Sequence, residues 1–74
     1  MDWVFKYHDQ LIPIEVKWTT QPKDEDLNHL KIFMKEYNLS KAYLICRTPH
    51  KLVKNGIEIL PWQDFKNLKL ILNA

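Results

Sequence analysis

The sequence predicts one small α/β (α+β) domain, with a mixed sheet, an N-terminal β-hairpin, a βαβ crossover and helices packed on the sheet. Three observations carry this. Two alternating apolar and polar runs flank a polar tetrad within residues 2–18, a hairpin signal. A single apolar stripe at helical spacing runs from Leu27 to Tyr37, behind an acidic triplet. A continuous apolar run, Ala42-Tyr43-Leu44-Ile45-Cys46, reads as a strand buried on both faces.

Taken in order, the first run is Trp3-Val4-Phe5-Lys6-Tyr7 and the second is Leu11-Ile12-Pro13-Ile14-Glu15-Val16-Lys17. A two-residue turn at Asp9-Gln10, or a four-residue loop of the same register, sets Trp3, Phe5 and Tyr7 opposite Val16, Ile14 and Ile12. Asp2 then faces Lys17 on the polar side. Pro13 has no N–H and must occupy a non-pairing position or a bulge. The polar connector 19–23 leads into a helix that begins near Pro22 or Asp24 and ends near Tyr37. Asp24, Glu25 and Asp26 suit the positive end of its dipole. Asn38 suits a left-handed cap that Leu39 closes. After the buried strand come a basic loop over residues 47–56, a turn at Asn55-Gly56 and a last strand, Ile57-Glu58-Ile59-Leu60. Pro61 opens a terminal helix with Trp62, Phe65, Leu68 and Leu72 as its apolar positions. The order is ββαββα. The strand–helix–strand unit over 11–46 makes its two strands parallel.

Composition bounds the function. The chain has 74 residues, 46% of them hydrophobic and 27% charged, with one Gly, which excludes a disordered tail or a low-complexity linker. No apolar stretch is long enough to span a membrane. The lone Cys46 permits neither an internal disulfide nor a cysteine-based zinc site and fits a cytoplasmic home. Eleven basic against nine acidic side chains do not mark a nucleic-acid binder by charge alone.

Chemistry concentrates on the polar face of the hairpin. Glu15 and Lys17 project to the same side of one strand, about 7 Å apart, and Asp2 lies beside them on the neighbouring strand. Asp2 and Glu15 are candidate ligands for Mg²⁺, which prefers oxygen donors. Such a metal activates water and polarises a phosphodiester, and Lys17 orients that water or neutralises transition-state charge. Without further context, an exposed polar face with a surface salt bridge explains the same residues. Arg47, His50, Lys51 and Lys54 form a basic loop suited to gripping nucleic-acid phosphates. Trp3, Trp18 and Trp62 are able to stack on bases, but the pairing pattern sends Trp3 and Trp18 to the core-facing side.

The ordered set Asp2, then Ile12-Pro13-Ile14-Glu15-Val16-Lys17, then Asp26-Leu27 with Leu30 and Phe33, then Ala42 to Cys46, then Ile57 to Trp62 with Leu60-Pro61-Trp62, resembles PD-(D/E)XK domains. These are restriction endonuclease-like domains found at the C-terminus of prokaryotic AAA-type, P-loop ATPases. The resemblance spans residues 2–65. It implies a truncated restriction endonuclease-like fold, because the αβββαβ core of that superfamily would lack its first helix and first strand here. It further implies that residues 1–74 form a C-terminal fragment of a larger ATPase-linked protein, partnered by that ATPase domain. The expected role is non-catalytic, serving protein–protein or weak DNA contact. The alternative is a Mg²⁺-dependent nuclease using Asp2, Glu15 and Lys17. A truncated sheet would also leave an apolar face open to homodimerisation.

Overall fold

The computed structural model describes residues 2–67. A five-stranded mixed sheet forms from β1 (Trp3–Tyr7), β2 (Gln10–Val16), β3 (Ala42–Cys46), β4 (Leu52–Lys54) and β5 (Ile57–Pro61). The helix α1 (Asp24–Glu36) joins β2 to β3, and a 3-10 helix (Trp62–Asn67) follows β5. Spatial order is β1-β2-β3-β5-β4. The three inner strands run parallel, and each outer strand pairs antiparallel with its neighbour.

Helix α1 starts where the acidic triplet predicts. The Asp26 carboxylate accepts the Lys23 backbone N–H at 2.8 Å, one half of a capping box. At the other end Asn38 takes φ 54°, and Leu39 N–H donates to the Met34 carbonyl at 2.8 Å. That is the left-handed closure expected of Asn38 and Leu39. Leu27 and Leu30 are fully buried and Met34 partly so. They pack on Ala42, Leu44, Cys46, Ile57 and Ile59. Each buried leucine contributes about 1.5–3 kcal/mol. The stripe is narrower than its spacing suggests, since Tyr37 lies exposed and stacks on Phe33, ring centroids 4.6 Å apart.

The opposite sheet face has its own core of Ile12, Ile14, Tyr43, Ile45 and Leu60, joined by Tyr7 and Val16. The expected uncovered apolar face is therefore not there at the centre of the sheet. Exposed apolar side chains gather instead on β1, at Trp3, Val4 and Phe5.

Three elements depart from the sequence reading. The first turn falls on His8 and Asp9, φ 50° and 64°, so the register slides and Trp3 pairs with Ile14, Phe5 with Ile12 and Tyr7 with Gln10. The slide preserves which side chains share a face. Its cause is Pro13. In the two-residue version of the expected register Pro13 sits in a hydrogen-bonded pair, whereas here it opposes Val4 at a non-hydrogen-bonded one. Second, residues 47–56 are not all loop: Leu52–Lys54 forms β4, turned onto β5 by Asn55-Gly56 with φ 53° and 80°. Among the described residues the order is thus ββαβββ followed by a 3-10 helix, with one strand more than expected. Third, the segment after Pro61 is a 3-10 helix; the expected apolar positions Leu68 and Leu72 lie outside the described residues.

Candidate functional site

The shifted register decides the fate of the carboxylates. Continued by one pair, it sets Asp2 opposite Glu15 rather than Lys17. Val16 N–H points toward β1, and Asp2 Oδ2 accepts it at 2.7 Å. Asp2 therefore takes the place of a ladder carbonyl at the open end of the hairpin, a charge-assisted bond that closes the strand pair. Glu15 is 6% exposed. It pairs with Leu44, a residue of the core under α1, so its side chain lies on the helix-covered side. Lys17 is half-buried, and its N–H donates to the Ile45 carbonyl at 3.0 Å, extending the β2–β3 ladder past Val16. Among the described residues no third Asp, Glu, His or Cys joins these acids as a metal-holding group. For Mg²⁺ the donor set is a poor fit: one acid is engaged by backbone and the other lies under a helix.

The structure assembles a different site at the carboxyl ends of β2 and β3. There the chain leaving β2 runs beside the chain leaving β3, and Arg47 N–H donates to the Thr19 carbonyl at 2.8 Å. Buried Thr48 donates its hydroxyl to the His50 carbonyl at 3.0 Å, which fixes the following bend. Between these segments and the start of α1 lies an open groove of about 960 Å³, lined among others by Lys23, Asp24, Arg47, His50 and Lys54. Its lining carries three fixed cations (Lys23, Arg47, Lys54) against the single carboxylate of Asp24. Clefts at the carboxyl ends of parallel strands are the usual ligand position in open sheets.

Three of the four predicted basic residues, Arg47, His50 and Lys54, meet in this groove. The fourth does not. Lys51 turns onto Glu58 of β5, Nζ to Oε1 2.8 Å. Sequence reasoning missed Lys23, because its approach to Arg47 depends on how the connector crosses the strand ends. It also misplaced Trp18. Strand β2 ends at Val16, so alternation no longer governs Trp18, which is 67% exposed. Trp3 is exposed as well, at the sheet edge.

Two buried titratable groups lie away from the groove. Burial, and then the Glu58 carboxylate on the adjacent strand, push the Tyr43 hydroxyl up to about 12. Burial also pushes the Cys46 thiol up, with Asp26 adding to the rise and the Thr48 backbone opposing it. A buried thiol with a raised pKa is a poor nucleophile.

Fold and site together define a small mixed α+β domain with a basic groove at the carboxyl ends of its parallel strands. The chain belongs to the DUF4143 family, a domain of unknown function, whose profile matches residues 1–65. No curated protein and no solved structure matches it. The family match is to that domain rather than to PD-(D/E)XK nucleases or P-loop ATPases. It overturns the resemblance drawn from the ordered motifs over residues 2–65. Among the described residues no helix is long and apolar enough to cross a membrane.

Proposed function

We propose that this chain is a non-catalytic binding module that contacts nucleic-acid phosphates through the groove at the ends of β2 and β3. The observation carrying this reading is that Lys23, Arg47 and Lys54 line one open groove, which runs from the carboxyl ends of β2 and β3 along to β4. The structural employment of Asp2 supports the absence of catalysis. Three phosphate contacts supply weak, sequence-independent affinity, with Kd on the order of 10⁻⁴–10⁻⁶ M at physiological salt. Anisotropy titration of a labelled oligonucleotide at several salt concentrations tests it. A log–log salt slope of about −2 to −3 is expected, shrinking by nearly one unit in each of Arg47→Ala and Lys54→Ala. A slope near zero, or one indifferent to both changes, would sink the reading. Strand cleavage that disappears in Glu15→Gln would replace it with hydrolysis.

A second contact, with another copy of this chain, is favoured by β1. Among the described residues β1 is a sheet edge, and the two-residue turn directs the Val4 and Lys6 backbone groups outward. Antiparallel pairing of two β1 strands about Val4 would set Asp2 opposite Lys6 and Trp3 opposite Phe5, joining opposite charges and aromatic rings. Val4→Pro removes an outward donor while sparing the β1–β2 ladder. Light scattering should show a dimer that Val4→Pro abolishes; a monomer at high micromolar concentration would exclude this contact.

A further inference from the structure

Trp18 and Trp62 lie next to the groove without being part of the core. Trp18 follows the end of β2 and Trp62 follows the end of β5, so both sit at the carboxyl ends of the parallel strands. Their ring centroids are 6.3 Å apart with planes tilted by 50°, and they are 67% and 50% exposed. Arg47 joins the pair to the groove: its guanidinium carbon lies 5.2 Å from the centroid of the Trp18 ring, and the same residue lines the groove. Two indoles held half in water forgo much of the burial that tryptophan ordinarily gains on folding. A ligand with flat apolar faces recovers it.

Resting on the groove as a phosphate site, we propose that Trp18 and Trp62 form a base-stacking subsite and that the module selects single-stranded nucleic acid. A line of cations takes duplex and single-stranded phosphates alike. Stacking discriminates, because a duplex keeps its base faces inside while an unpaired strand presents them. Arg47 serves both halves of the site, with a donor fork for phosphate and a cation over an aromatic face. Stacking is tolerant of base identity, so preference for strandedness rather than for sequence follows.

The test uses the full chain with Trp3→Phe, so that tryptophan emission reports only Trp18 and Trp62. A short oligothymidylate and a duplex of equal length are titrated by anisotropy and by fluorescence quenching. The single strand should bind on the order of tenfold tighter and quench the emission. Trp18→Ala and Trp62→Ala should each weaken it roughly fivefold or more while changing duplex affinity much less, and circular dichroism should confirm retained folding. Equal affinity for both oligonucleotides, or a single-strand preference surviving both tryptophan changes, overturns the subsite and leaves the phosphate reading standing. Binding to neither overturns both. Arg47→Lys sharpens the result: it should weaken single-strand binding more than duplex binding, because lysine keeps the charge but loses the stacking plane.

Discussion

The two hairpins have the same turn geometry and opposite chemistry. Both reverse through two residues with positive φ, His8-Asp9 at 50° and 64° and Asn55-Gly56 at 53° and 80°, the pattern of a type I′ turn. Asn-Gly adopts it readily. His-Asp does not, since a side chain at positive φ costs roughly 1 kcal/mol or more. The strands reverse the ranking. Ile12 and Ile14 of β2 are core residues, whereas every residue of β4 is exposed. In the first hairpin buried strand residues impose a turn its residues disfavour, helped by the edge-on contact of the Tyr7 and His8 rings, centroids 4.3 Å apart. In the second, a favourable turn and the Lys51–Glu58 ion pair hold a short strand that packing would not hold.

The largest expected effect comes from breaking the first hairpin at its core. Ile14→Ala, at a fully buried position, should lose about 2–5 kcal/mol in urea unfolding. Leu52→Ala in exposed β4 should lose less than about 1 kcal/mol. Comparable losses would mean that the two strands are held alike.

Alkaline pH probes the same sheet face farther in, where β3 meets β5. The folded-state pKa of Tyr43 near 12 lies above its ordinary value of 10.0, so folding favours the neutral phenol. The associated stability is fully present below about pH 10 and is lost as pH rises from there toward 12. The total is about 2–3 kcal/mol for a shift of this size. Thermal melts of Tyr43→Phe should lack that part of the alkaline decline.

Turn substitutions act next. Gly56→Val should cost about 1–2 kcal/mol through its φ of 80° alone, because an added Cβ meets nothing closer than Met34 Cε at 3.8 Å. Hydrogen exchange at Lys54 and Leu52, whose N–H groups face β5, should accelerate first. In the first hairpin the sign reverses: His8→Asn with Asp9→Gly should raise stability by roughly 0.5–1 kcal/mol, provided the lost Tyr7–His8 contact is worth less. The smallest effect is expected at the open end of the same hairpin. Asp2→Ala strips the acceptor from Val16 N–H and, at an exposed site, should cost about 0.5–1 kcal/mol. Asp2→Asn should restore most of that.

Much of the architecture was legible along the chain. The helix over Asp24–Glu36, its Asn38 closure, the buried strand Ala42–Cys46, the parallel crossover and the partition of hairpin side chains between two faces all follow from periodicity and cap chemistry. Register was half legible. Pro13 carried the needed signal, because a residue without N–H marks the non-hydrogen-bonded pairs of a two-residue hairpin, while Asp9-Gln10 and His8-Asp9 are equally unpersuasive as turns. Strand β4 was hidden because Leu52 and Val53 are too short a run among basic residues, although Asn55-Gly56 announced a hairpin. Of the site, Arg47, His50 and Lys54 stand close in the sequence and line one groove, whereas the pairing of Lys51 with Glu58 depends on how β4 folds onto β5 and is not legible from the basic run.

What the sequence by itself determined is local and periodic: which residues turn inward together, where the helix begins and ends, and that two strands separated by a helix lie parallel. Tertiary structure alone decided that Asp2 closes a ladder, that Glu15 lies beneath a helix, and that Trp18 faces water beside Arg47. The physical reason is that alternation and helical spacing set a side chain's direction only while its element lasts. Where an element stops, and what stands opposite it, depends on hydrogen bonds and packing contributed by distant segments.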